Sequence, residues 1–438
     1  MKLRTPSIRA AEQMGARIRT ARREMGLSMA ELAGKDFSRP FINQIELGRA
    51  RPSMASLRVI AARLQRPIEW FLEDPDTSRA AVELSLTEAE MRLRRGNPVE
   101  ARSLLTELLA RPYLPPQART RGHLLLGEAH LRLGNVQEAL PVLQKAIKAS
   151  EAGKWMPLSI ELYDRMGSAY YMLRRPPEAG RWFDKALAAF EASGLTEPVL
   201  KARILGHRAN LYYVAGQWQE AIALYETAIE AAEHVLDVQG LAGIYEGLAR
   251  SFRKTGELDR ALTYAQRSLR LWEGAQDVRM AAQLRDAMGS ILLEQGQYQE
   301  AERQYLEGAS RLRLVGDKEF LPHLLAGGAE AALELGNPEL ASDRVETARS
   351  AAGESSDPVA RLEVERVAGR VAHALGRVTE SRDHFEQALA IAAAAHSAVD
   401  QANVAYDYAR TLEAQGNLGQ AVLRYREAYE LRRAATAS

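Results

Sequence analysis

The residues able to do covalent chemistry in this chain are few and scattered. Eight histidines, His123, His130, His207, His234, His323, His373, His384 and His396, stand far apart, and cysteine is absent. No GxxxxGK[ST] phosphate loop, HExxH zinc motif or GxSxG nucleophile elbow occurs. Without cysteine there is no disulfide framework, thiolate zinc site or thiol nucleophile. The expectation is therefore no enzyme, no catalytic residue, no metal and no cofactor. What the chain offers instead is recognition through charge. Residues 1–75 hold 14 Lys/Arg against 8 Asp/Glu, a net of +6, whereas all 438 residues carry 58 against 57, a net of +1. A basic head on a mildly acidic body points to a nucleic-acid module joined to something else.

The elements that position those charges are helical. Ala, Leu, Glu and Arg are abundant, with only 8 Phe and 17 Pro, which predicts an all-α chain. In the head, Met14 to Met25 places Met14, Ile18, Ala21 and Met25 on one face, and Gly26 ends the helix. Ser28-Met29-Ala30-Glu31 is a capping box that starts a second helix, with Leu32 and Ala33 inward. Ser38 caps a third, with Phe41, Ile42 and Ile45 as its core side, and Gly48 stops it. Pro52-Ser53 begins a fourth through Leu57, Ile60, Ala61 and Leu64, and Pro67 opens a fifth with Trp70, Phe71 and Leu72.

The run Gly26 to Ala33, then Ser38-Arg39-Pro40-Phe41-Ile42-Asn43-Gln44-Ile45-Glu46-Leu47-Gly48-Arg49, then Arg51-Pro52-Ser53, resembles the lambda-repressor/Cro-like (XRE) helix-turn-helix family. Two departures stand out. Gly34-Lys35-Asp36-Phe37 is one residue shorter than the usual turn, and Met29 stands where many members carry Gln. The resemblance implies that the start of the third helix enters the DNA major groove. It assigns base contact to Ser38, Arg39, Pro40, Asn43 and Gln44. Arg39 suits guanine O6 and N7, Asn43 or Gln44 an adenine edge, and Pro40 a thymine methyl. Arg49 and Arg51, with the backbone near Ser53, suit phosphates. Arg22 and Glu46 match positions where the family holds an ion pair between its first and third helices.

The rest of the chain is an internal repeat. Gly96–Ala101, Gly134–Ala139, Arg174–Ala179, Gly216–Ala221, Gly256–Ala261, Gly296–Ala301, Gly336–Ala341, Gly376–Ser381 and Gly416–Ala421 share one turn pattern, and from Gly216 onward the spacing is 40 residues. Such a period signals a solenoid. Around Gly216, Leu205, Ala209 and Tyr212 face one way before the turn, and Ala221, Tyr225 and Ala228 follow it. Tyr212 and Tyr225 are expected to fill the space to the neighbouring unit. The pattern resembles the tetratricopeptide repeat, whose usual period is about 34 residues, so 40 implies longer helices or connections. That resemblance implies that the first helix of each unit lines a ligand-binding face. Aligned on the turns, it nominates Asp164, Tyr171, Arg203, Asn210, Tyr213, Glu246, Arg250, Arg253 and Asp286, and further on Arg366, Arg370, Asn403, Tyr406 and Arg410. Arg250 and Arg253 beside Asn210 and Tyr213 suit a peptide carboxylate, unless Glu246 and Glu257 merely neutralise them.

The fold expected is thus all-α: a five-helix Cro/C1-type head over residues 1–75, then an α-solenoid of about nine tetratricopeptide-like helix pairs over 76–438, joined by the linker Glu73–Thr77. Head and repeats together resemble the peptide-responsive quorum-sensing receptors. This implies a cytoplasmic homodimeric transcriptional regulator that binds a double-stranded operator and whose repeats bind a peptide or other effector. The alternatives are a DNA-binding regulator whose repeats dock a protein, or a pure interaction adaptor. No apolar run approaches the ~18 residues of a membrane span, and Met1 to Ala11 lacks the apolar stretch of a secretory signal.

Overall fold

The structure, a computed structural model, describes residues 6–72, 75–111, 114–232 and 238–437. All regular elements among them are helices. They divide into two compact units, Met1–Leu195 and Thr196–Ser438.

The first unit begins with α1 (Pro6–Glu24), α2 (Met29–Ala33), α3 (Arg39–Glu46), α4 (Met54–Arg63) and α5 (Ile68–Leu72). Local chemistry sets these boundaries. At Ser28 the capping box closes in both directions: the Glu31 N–H donates to Ser28 Oγ at 3.1 Å, and the Ser28 N–H to Glu31 Oε2 at 2.6 Å. Ser38 and Ser53 cap α3 and α4 in one direction only, their Oγ atoms accepting from the Phe41 and Ser56 N–H groups. The five helices enclose one core containing Ile18, Leu32, Ile42, Ile45, Leu57, Ile60, Leu64 and Phe71, each almost wholly shielded from solvent. Three helix pairs follow: α6 (Pro75–Arg94) with α7 (Pro98–Ala110), α8 (Pro116–Arg132) with α9 (Val136–Gly153), and α10 (Met156–Met172) with α11 (Pro176–Ser193). Pro75 to Thr77, read from the sequence as linker, are instead the first turn of α6, because Pro fits a first helical position. Glu73 and Asp74 lie outside the described residues.

The second unit is six further pairs. They are α12 (Pro198–Val214) with α13 (Trp218–Ala232), α14 (Val238–Thr255) with α15 (Leu258–Gly274), and α16 (Val278–Glu294) with α17 (Tyr298–Val315). Then come α18 (Leu321–Glu334) with α19 (Pro338–Glu354), α20 (Pro358–Ala374) with α21 (Val378–Ala394), and α22 (Ala398–Ala414) with α23 (Leu418–Ala437). Most of these helices run 17 or 18 residues, so the long period lies in the helices rather than in the connections.

Each pair turns at a left-handed residue. After α12 the Gly216 N–H donates to the Tyr213 carbonyl at 3.1 Å and the Gln217 N–H to the Tyr212 carbonyl at 2.9 Å, with Gly216 at φ +74°. This satisfies two of the carbonyls that a helix end leaves open. Arg174 does the same at φ +56°, although it has a side chain. Second helices send large side chains against first-helix glycines. Phe183 meets Gly167, Tyr225 meets Gly247, Tyr305 meets Gly289 and Gly327, and Phe385 meets Gly369. All four aromatics are buried, and burial of a side chain this size contributes about 1.5–3 kcal/mol. Of the two tyrosines expected to fill the space between units, Tyr225 does so and Tyr212 is only half-buried.

Candidate nucleic-acid interface and ligand face

The start of α3 is an open polar edge. Its core side is Ile42 and Ile45, both buried, with Phe41 half-buried. At helical spacing this leaves Ser38, Arg39, Pro40 and Gln44 exposed and Asn43 half-buried, and beyond the helix Arg49, Arg51 and Ser53 are exposed too. Among the described residues, the side chains of Arg39, Asn43, Gln44, Arg49 and Arg51 make no hydrogen bond or ion pair within the protein. Ser53 Oγ accepts from the Ser56 N–H at 3.1 Å, while the Met54 and Ala55 N–H groups before it have no intrahelical acceptor and suit a phosphate.

What aims this edge is buried behind it. Arg22 Nε donates to Glu46 Oε1 at 2.6 Å and one terminal nitrogen donates to Oε2 at 3.0 Å. The other terminal nitrogen donates to the Leu27 carbonyl at 2.8 Å. The bond to Glu46 holds the Arg22 guanidinium above its usual pKa despite its burial. Arg19 adds a bond to the Glu46 carbonyl at 3.0 Å. The fork ties α1 to the last turn of α3, so the helix cannot rotate without breaking charge-assisted bonds.

Two positioning residues escaped the sequence reading. A Cβ on Gly15 would lie 2.1 Å from the Ile45 carbonyl oxygen, so only glycine lets α1 cross α3 this closely. It is the only glycine within α1, the one signal that could have marked it. Arg63, at the end of α4, donates to the carbonyls of Leu32 at 2.9 Å and Ala33 at 2.6 Å, pairs with Asp36, and lies 5.8 Å from the Phe37 ring centre. It clamps the short Gly34–Phe37 turn, a role that only a contact across 27–31 residues reveals.

On the repeats the nominated residues separate into different situations. In the first unit Asp164 is fully buried and accepts from Arg165 at 2.8 Å. Its neighbourhood is closed by packing, so it is not an open ligand contact; Tyr171 is exposed. In the second unit successive first helices touch one another, α16 with α18, α18 with α20 and α20 with α22. This face carries Tyr213, on α12, under the Arg250 guanidinium at 5.5 Å. Arg250 also stands 3.8 Å from Glu246, a weak exposed pair. Arg253 is bound by Glu294 at 2.6 and 2.9 Å, while Glu257 bonds Arg260 at 3.0 Å. The carboxylate that neutralises Arg253 is thus supplied by the next first helix. Asn210 accepts from the Tyr225 hydroxyl at 2.6 Å, and Arg203 is half-buried on α12. Arg366 binds Glu330 at 3.0 Å, Glu363 at 2.9 Å and Asp407 at 2.5 Å, and Arg370 binds Glu330 and Glu334. Burial alone would raise Glu330, but the two arginines outweigh it and hold it at about 2. Asn403 accepts from Arg432 at 3.3 Å, and Tyr406 is exposed. Among the described residues no group of His, Asp and Glu is arranged to hold a metal ion, and no helix is long and apolar enough to cross a membrane.

The helix-turn-helix family matches residues 18–71. The tetratricopeptide repeat family matches residues 200–274 and 361–434 in one form and 86–154 and 246–313 in another. A kinesin light chain-related protein of Arabidopsis thaliana is 28% identical over 158 residues, 35% of this chain and 26% of that protein. An intraflagellar transport protein 172 homolog of Drosophila melanogaster is 25% identical over 236 residues, 48% of this chain and only 13% of that protein. The chain therefore spans a minor part of both relatives. Among solved structures, apo RapI superposes with TM-score 0.66 at 17% identity, over 81% of this chain and 98% of its own. The apo quorum sensor NprR from B. thuringiensis does so with TM-score 0.61 at 15% identity, over 81% and 99%. A Rap protein complexed with competence and sporulation factor gives 0.58 at 15% identity, over 82% and 99%. At these identities the likeness is one of fold.

Proposed function

We propose that this chain, which carries a helix-turn-helix domain and an array of tetratricopeptide repeats, is a sequence-specific DNA-binding regulator whose repeats bind a peptide that modulates operator binding. The head, residues 1–75, reads DNA, and residues 76–438 sense the ligand. One observation carries the first half. A capped helix, locked from behind by Arg22–Glu46, presents Arg39, Pro40 and Gln44 to solvent beside Arg49 and Arg51. That is the division between base edges and phosphates that DNA recognition needs. The second half is supported by the polar first-helix face of the second unit and by the fold shared with a Rap protein solved with competence and sporulation factor. The resemblance of head and repeats to peptide-responsive quorum-sensing receptors supports reading the regulator as a cytoplasmic homodimer, and a two-fold protein would match a palindromic operator. A ligand would shift operator binding only by preferring one arrangement of the repeats.

The test is selection of genomic fragments on the full-length protein, followed by salt titration on the enriched site. A discrete palindromic site with a steep salt slope supports the reading. Fragments retained without sequence preference, or none retained, would leave an interaction adaptor as the better description.

A further inference from the structure

In the second unit, ion pairs tie neighbouring first helices together across the ligand face. Arg253 on α14 holds Glu294 on α16. Arg366 and Arg370 on α20 hold Glu330 and Glu334 on α18, and Arg366 also holds Asp407 on α22. Between α16 and α18 no ion pair or side-chain hydrogen bond exists among the described residues. Asp286 stands at that junction, half-buried, without a hydrogen bond or ion pair among them. One period later the equivalent place on α18 is Ala326, too short to reach it, and only the next one, on α20, is a cation, Arg366.

The groups facing Asp286 are already committed. Arg253 on α14 is held by Glu294, and His323 on α18 bonds Asp357 at 3.1 Å. Glu330 on α18 and Glu363 on α20 are both taken by Arg366. Tyr305 on α17 is buried, its hydroxyl 3.3 Å from Ser290 Oγ, with its ring against Gly289 and Gly327. Asp286 is the one carboxylate in this set whose counter-ion is missing.

We propose that Asp286 anchors a cation carried by the ligand, a guanidinium, a lysine ammonium or a free peptide amine, which closes the α16–α18 junction as arginine closes its neighbours. This rests on the peptide reading above and turns it from a carboxylate ligand at Arg250 and Arg253 to a cationic one. A charge-assisted bond from such a group is the interaction that this half-buried, unpaired carboxylate lacks. Burial pushes Asp286 up to about 6, with Glu363 and Glu330 adding to the rise and His323 and Arg253 opposing it. Cation binding therefore weakens as pH falls through about 6, where the carboxylate takes up a proton.

The experiment is selection from a random heptapeptide library with free N-termini, on the immobilised full chain and on its Asp286→Asn variant, with an unrelated helical solenoid as control. The expected result is peptides sharing Lys or Arg at one position, or depending on a free amine, with at least tenfold weaker binding to Asp286→Asn. Resynthesis with acetylated N-termini separates the two sources: affinity that survives acetylation comes from a side chain. Binding peptides with no cation preference, or affinities within twofold on the variant, would overturn the role of Asp286 while leaving the peptide reading intact. No enrichment above the control would overturn both. If the variant melts as an unfolded chain, the charge pattern selected on wild type decides alone.

Discussion

Arg22 and Glu46 form a nearly solvent-free fork, with side-chain exposures of 10% and 0%. Deleting one partner of such a pair leaves the other charge buried, at a cost of about 3–5 kcal/mol. Arg22→Ala should therefore release α3, seen as lost amide-exchange protection of Ile42 and Ile45 in the full-length protein; unchanged protection would sink the idea. On the exposed side, Arg39→Ala should cost ~1–3 kcal/mol on the selected operator and relax one base pair. Arg51→Ala should weaken all sequences alike and lower the salt slope by roughly one. Competition assays at several salt concentrations separate the two, and identical behaviour would refute the proposed division of labour. Asp286 gives a prediction that needs no ligand. Its folded pKa is raised to about 6 from 3.8. The folded state thus favours the protonated acid, and this stability is complete below the ordinary pKa and lost as pH rises through about 6. Asp286→Asn should stabilise the chain at pH 7.5 by at most about 3 kcal/mol, with the gain gone near pH 4. Glu330 runs the other way: held at about 2, it stabilises above its ordinary pKa and loses this only as pH falls towards 2. Melting curves across pH read both.

At the scale of elements, the turns and crossings decide which substitutions matter. Arg174 occupies at φ +56° the left-handed place that Gly96, Gly134, Gly216 and the later turn glycines hold in the other repeats. A side chain there costs roughly 1–2 kcal/mol, partly offset by the greater freedom that glycine loses on folding. Arg174→Gly should therefore gain about 0.5–1 kcal/mol in denaturant unfolding, and a loss would show that the Arg174 side chain makes a compensating contact. Gly15→Ala should do the opposite. Its Cβ meets backbone at 2.1 Å, and backbone yields less readily than a side chain, so overpacking of about 1–3 kcal/mol is expected. The displaced α3 should lose operator affinity as well. Retained affinity would mean that α1 can shift without re-aiming the reading edge.

For the molecule as a whole, the sequence alone was enough for whatever depends on neighbours along the chain. Ser28, Ser38 and Ser53 could be recognised as caps because a cap bonds the backbone two or three residues on. The nine turns could be recognised because a left-handed residue is required just past a helix end, and the 40-residue period then dictated helix pairs. The exposure of Arg39 and Gln44 follows from the same local geometry, since Ile42 and Ile45 must face inward. What tertiary structure alone decided is everything set by side chains meeting across elements. Helical spacing nominated Asp164 as a ligand contact, yet packing buries it against Arg165. Spacing made Arg250 and Arg253 equivalent, yet Glu294, 41 residues on from Arg253, binds one and leaves the other over Tyr213. Arg63 and Gly15 carry no local mark of their task, because a guanidinium bonding two distant carbonyls and a missing Cβ at a helix crossing exist only once the chain has folded. Asp286 is the sharpest case: a period assigns each residue its place, but whether a charge at that place finds its counter-ion depends on the reach of side chains from the adjoining helices, which no one-dimensional pattern contains.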